Sequence, residues 1–140
     1  MPTITVPASL DNLEPTKAYL KKNIPVEFAA QTTNVLLVAE ELLVNVFSYA
    51  YPEGTEGRAI VSVEVQQPDR LIFTVKDWGA AFNPFEEAPV PDLTLDLNSR
   101  PVGGLGIFLI KQVSDTQEWK YVDGANIITI SFGRTPKEVP

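Results

Sequence analysis

The run VLLVAEELLVNVFSYAY, from Val35 to Tyr51, constrains this chain more than any other stretch. Ala, Leu and Glu favour helix, apolar residues occur almost all the way round it, and Pro52 with Gly54 stops it. A helix apolar on nearly every side has to be buried, so the rest of the chain must supply its cover. At roughly 100° per residue, Glu41, Asn45 and Ser48 fall within about 60° of one another and form one polar stripe. Glu40 points elsewhere. Burying a carboxylate and an amide without partners costs on the order of several kcal/mol, so the stripe faces water, a ligand or a metal ion. The solvated edge of an amphipathic helix would show the same spacing. Against that, Asn is a poor residue for mid-helix, and LLVNVF has no other polar residue near it. A Glu and an Asn at i and i+4 can act together, the first as proton acceptor and the second as an oxygen ligand for a hard cation such as Mg²⁺.

Composition removes several classes of chemistry. The 140 residues suit one domain, expected over residues 1–135, with a disordered tail at 136–140. With 11 basic and 18 acidic residues the net charge is −7, which argues against general binding to nucleic acid or to an anionic membrane. There is no cysteine, hence no disulfide and no thiolate metal site, in keeping with a reducing cytosol. There is also no histidine, so any general base must be a carboxylate or another group. No apolar run approaches the ~20 residues of a membrane span and no signal peptide opens the chain, so it reads as cytoplasmic.

Taken in order, Thr3 to Val6 alternates as a short strand, and Ser9 or Asp11 can cap a helix to about Asn23. Pro25 ends that helix and can open the next. Ala59 to Gln67 alternates cleanly, Pro68 and Asp69 turn, and Leu71 to Val75 returns as the second arm of a hairpin. The proline-rich segment after Asp77 reads as a long loop with at most one helical turn, a lid over about residues 80–102. Gly106 to Ser114 is helical again. Strands at Gln117 to Tyr121 and Ala125 to Phe132 join across Asp123-Gly124, a strong hairpin signal. Helices come first, hairpins follow and no βαβ alternation appears. The expected class is α+β: a two-layer sandwich with helices on one face of a largely antiparallel mixed sheet.

Two further segments carry chemistry. Asp77 sits where a buried strand emerges, and Gly79 lets the backbone turn or approach a ligand closely. A turn-capping aspartate would read the same way; as a fixed acceptor, Asp77 could also take a hydrogen bond from an exocyclic amine such as that of adenine. Gly103-Gly104-Leu105-Gly106 runs straight into helix, where backbone N–H groups can converge on an anion at the positive end of the helix dipole, or where a loop can simply hinge. No Gly-Lys-Ser/Thr follows, so this is not a Walker A loop, and Asp-Trp-Gly is not the kinase Asp-Phe-Gly, whose catalytic loop needs a histidine.

The order of these signals is more informative than any one of them. EELLVN on a helix, a strand ending in D-x-G, a lid, and GGLG opening a helix resemble the ATP-binding domain of the GHKL superfamily, the Bergerat fold. The segments DWGAAFNP and GGLGIFLIKQVSD look like its branch of anti-sigma-factor serine/threonine kinases. The resemblance runs from about Thr5 to Phe132 and implies ATP and Mg²⁺ as cofactors. It implies Glu41 as general base, Asn45 as the Mg²⁺ ligand, and Asp77 with Gly79 at the adenine. It further implies Gly103, Gly104 and Gly106 as backbone at the phosphates and Thr129 as support for the adenine site. As partners it implies a small anti-sigma-factor antagonist of STAS type, a sigma factor, and a second copy of the chain. Two departures matter: Ser48 stands where those kinases often carry a basic residue or histidine, and Arg100, the nearest arginine before the glycines, is displaced toward the lid.

Overall fold

The buried helix of the sequence is α2, Thr32–Asn45, and it lies in the middle of the helical layer. The computed structural model describes residues 2–87 and 104–137; Arg100, Gly103, most of the expected lid and residues 138–140 lie outside them. Before α2 come β1, Thr3–Pro7, and α1, Leu13–Asn23; after it come β2, Arg58–Gln66, and β3, Arg70–Asp77. A single turn, α3, spans Pro84–Glu87, followed by α4, Gly104–Val113, and by the last hairpin, β4 Thr116–Val122 and β5 Ala125–Phe132.

Local signals set these boundaries. Ser9 accepts from the Asp11 N–H at 3.3 Å and caps a 3₁₀ turn, Leu10–Asn12, that leads into α1. Gln31 ends a second 3₁₀ turn, and α2 passes into a π-helical turn at Val46–Ala50. The helical run Val26–Ala50 is therefore continuous over 25 residues. By length and composition alone it could cross a membrane, where the sequence reading found no such run; its apolar face is in the core, with Val35, Val38, Ala39 and Leu43 fully buried. Glu40 points away from the Glu41 stripe as expected, its carboxylate accepting from Lys17 Nζ of α1 at 2.9 Å. Asp123 and Gly124 both take positive φ, 51° and 79°, as the tight β4–β5 turn requires.

The sheet runs β1-β2-β3-β5-β4, and each neighbouring pair among the described strands is antiparallel. The sheet was expected to be mixed but largely antiparallel; β5 returns antiparallel to β3 with β4 folded outside it, so every pair among these strands is antiparallel. Alternate residues on β3 and β5 meet the helices: Leu71, Phe73 and Val75 oppose Phe132, Ile130 and Ile128 in register, all nearly inaccessible. Together with Leu20, Phe28, Val38 and Leu42 they make the core. Burial of each large side chain there is worth about 1.5–3 kcal/mol. The helices cover one face only, which is the α+β two-layer arrangement expected.

The end of the described chain is tied to the helices. Gln31, 2% exposed, donates through Nε2 to the carbonyls of Gly133 and Thr135 at 3.0 Å each, and Lys137 Nζ donates to the Lys111 carbonyl at 2.9 Å. A buried amide needs partners, and the carbonyls of Gly133 and Thr135 supply them; of the expected tail, 136–140, only residues 136 and 137 lie within the described residues.

Candidate functional site

Glu41 leaves α2 on the side facing α4. Its carboxylate lies against Gly106, in the first turn of α4, so closely that any Cβ at 106 would overlap Oε2. A Cβ at 106 and the carboxylate in this position exclude one another, so glycine there leaves the Glu41 side chain free to reach the start of α4. Burial, and then the neighbouring Glu40 charge, raise the Glu41 pKa above the ordinary 4.5. The result is a carboxylate at the start of a helix, more basic than a solvated one. Asn45, one turn on, is partly buried and its amide makes no hydrogen bond among the described residues. Ser48 lies in the π turn and is exposed.

The other end of the same helical run meets the D-x-G segment. A Cβ at Gly79 would run into the backbone carbonyl of Ala50, the last residue of the π turn, so the strand end and the helix end touch backbone to backbone. Asp77 is 5% exposed. Its Oδ1 accepts from the Gly79 N–H at 2.9 Å and from Asn126 Nδ2 at 3.1 Å, while Oδ2 makes no hydrogen bond among the described residues. A buried carboxylate with one oxygen taking two donors and the other open is an acceptor awaiting a donor.

Around this point the chain is braced. The Tyr51 hydroxyl donates to the Arg58 carbonyl at 2.6 Å and accepts from the Trp78 N–H at 2.8 Å. The Arg58 guanidinium stands 4.0 Å from the Trp78 ring centroid. Beside it, Tyr49, Tyr51, Trp78 and Gly79 line an open cavity of about 550 Å³.

Of the residues singled out in the sequence, Glu41 and Gly106 are in contact and Asp77 bonds Gly79. Asn45 lies on the run that connects the two pairs, and Gly104 opens α4. Gly103 and Arg100 fall outside the described residues. Thr129 is not brought to the site. It opposes Thr74 and Glu118, and the register puts that trio on the sheet face away from the helices, opposite in parity to Asp77 and Asn126. Sequence reasoning missed Asn126, which opposes Asp77 directly. Its signal was a polar residue at the inward parity of a strand whose next inward positions are Ile128, Ile130 and Phe132.

The model of the histidine kinase-like ATPase domain matches residues 6–132. The chain belongs to the histidine kinase-like ATPase domain family. No curated protein matches it. The mycobacterial sensor histidine kinase MprB has a similar structure, with a TM-score of 0.55 and 16% identity over 96% of this chain and 100% of that one. The histidine kinase domain of the blue-light activated histidine kinase EL346 from Erythrobacter litoralis aligns with a TM-score of 0.53 and 19% identity. That second match covers 79% of this chain but only 46% of the other, so this histidine kinase-like ATPase domain spans about half of that chain's length. At such identities the shared property is the fold, the GHKL ATP-binding sandwich. The residues present fit the ATP that such a domain takes: Asp77 Oδ2 is an open acceptor, and Gly79 and Gly106 keep side chains out of two close approaches. Asn45 offers an amide oxygen that has no partner among the described residues, a ligand type that a hard cation takes.

Proposed function

We propose that this domain is an ATP- and Mg²⁺-dependent protein serine/threonine kinase of a partner-switching system in the cytoplasm. Its substrate is a small anti-sigma-factor antagonist of STAS type, and a sigma factor and a second copy of the chain are its further partners. The observation that carries this reading is the pairing of Glu41 with Gly106 at the start of α4: a basic carboxylate stands where a glycine-bounded helix N-terminus would receive phosphate. Glu41 takes the proton from the attacking hydroxyl, and Asp77 with Gly79 holds the base of the nucleotide. Asn45 holds Mg²⁺, which supplies charge neutralisation at the phosphates. With no histidine in the chain, the phosphate goes to the partner's hydroxyl rather than to an internal imidazole.

The test is incubation with ATP, Mg²⁺ and a panel of such antagonists, followed by phosphorylation-site mapping. Phosphate appears on a serine or threonine of the antagonist with the wild-type chain and is lost with Glu41→Ala, while nucleotide binding persists. Normal transfer by Glu41→Ala would refute the assignment. Ser48 supports a second reading, a nucleotide-responsive module that sequesters a regulator without catalysis, since no cation stands at that position. Tight ATP binding with no transfer to any antagonist favours it.

A further inference from the structure

Asn126 is 4% exposed and its side chain has both its donor and its acceptor capacity engaged. Nδ2 faces three acceptors: Asp77 Oδ1 at 3.1 Å, the Ala80 carbonyl at 3.0 Å and the Gly79 carbonyl at 3.4 Å. Oδ1 faces two donors, the Phe82 N–H at 3.0 Å and Trp119 Nε1 at 3.0 Å. Indole N–H and amide N–H cannot accept, and carbonyls cannot donate, so the amide has one orientation only.

That orientation acts on Asp77. With two donors on Oδ1, from Gly79 and Asn126, this oxygen is committed as an acceptor, and the carboxylate plane is fixed. The open oxygen, Oδ2, is left to read whatever enters. We infer that Asn126 is a positioning and specificity residue: it holds Asp77 as an obligate acceptor, so that the site selects a purine bearing a 6-amino group over one bearing a 6-oxo group. The inference rests on the nucleotide reading of the site. A ligand donor satisfies Oδ2, whereas a ligand carbonyl sets two acceptors against each other in a nearly dry place. Mismatches of that kind are discriminated far more strongly than a missing methylene. Alanine at 126 would leave Asp77 Oδ1 one donor short and release the Gly79–Phe82 backbone together.

The experiment measures dissociation constants of ATP and of inosine triphosphate, its 6-oxo counterpart, for the full chain and for Asn126→Ala, Asp77→Ala and the double variant. The expected result is a preference for ATP in the wild type that falls roughly tenfold or more in Asn126→Ala. In the Asp77→Ala background, Asn126→Ala should change the preference no further, because it acts through Asp77. A variant that weakens both nucleotides equally, keeping the ratio, has lost structure rather than selectivity and overturns the inference. A wild-type chain that binds neither nucleotide overturns the nucleotide reading itself. If Asn126→Ala fails to fold, Trp119→Phe removes one donor to Asn126 Oδ1 and keeps the ring. It should lower the same ratio by a smaller factor, and an unchanged ratio overturns the proposal.

Discussion

The Glu41 carboxylate and the Cα of Gly106 are in contact across 65 residues of sequence, with no space between them for a methyl group. One side of that contact is the end of a long, adjustable side chain; the other is backbone in the first turn of a helix.

Gly106→Ala should therefore displace the carboxylate while leaving the fold in place. Melting temperature should change by only a few degrees, whereas phosphoryl transfer should fall about 10²-fold, the usual result of moving a reacting group by an ångström. Thermal melts beside single-turnover assays separate the two effects.

Gly79→Ala should do the reverse. Its added Cβ meets the Ala50 carbonyl, which is backbone and cannot swing aside. A loss of about 1–3 kcal/mol in unfolding free energy, read from denaturant titration, is expected from such overpacking.

The pH dependence of transfer should carry the mark of Glu41. Its pKa is raised by burial first and by Glu40 second, so the group is protonated, and useless as a base, at pH values where a solvated carboxylate would already be ionised. Activity should thus decline with falling pH before it reaches the ordinary carboxylate range. In Glu40→Gln, the acid limb of the rate profile should move to lower pH. For stability the sign is opposite to that of a salt-bridged carboxylate: folding favours the protonated form, so this group opposes folding most above its folded pKa. Glu41→Gln should consequently raise the melting temperature at pH 8 and change it little near pH 4, which scanning calorimetry at the two pH values would check.

Tyr51→Phe removes a hydroxyl that donates to the Arg58 carbonyl and accepts from the Trp78 N–H. The ring stays and two backbone groups lose a partner. A cost of about 1–2 kcal/mol is expected by denaturant titration. Amide exchange at Trp78 should quicken more than at Phe73, which sits in the interior of β3.

Hairpins and helices were legible because their signals are local: alternation in Ala59 to Gln67, an Asp-Gly turn at 123 and 124, prolines at 25 and 52. Glu41 and Asn45 stood out for the same reason, as polar residues interrupting an apolar helix. The partner of Asp77 did not, because nothing near Asn126 in sequence says which strand it will lie beside. That depends on β5 pairing with β3, at a separation of 49 residues, and on a register that opposes Asp77 to Asn126. Thr129 was chosen on the right strand, yet an odd offset of three residues sends its side chain through to the other face. The π turn was equally silent, since the extra residue it inserts before Ala50 leaves no compositional trace.

One rod of backbone touches α4 at Glu41 and the D-x-G corner at Ala50. Nine residues at about 1.5 Å each set those two points roughly 13 Å apart, a span comparable to the length of the molecule the cleft is meant to hold. The helix is in effect a gauge: its fixed rise per residue decides how long an occupant can be while reaching both ends. Lengthening it by a single residue would swing one end by about a quarter turn and leave no ligand able to satisfy the two at once.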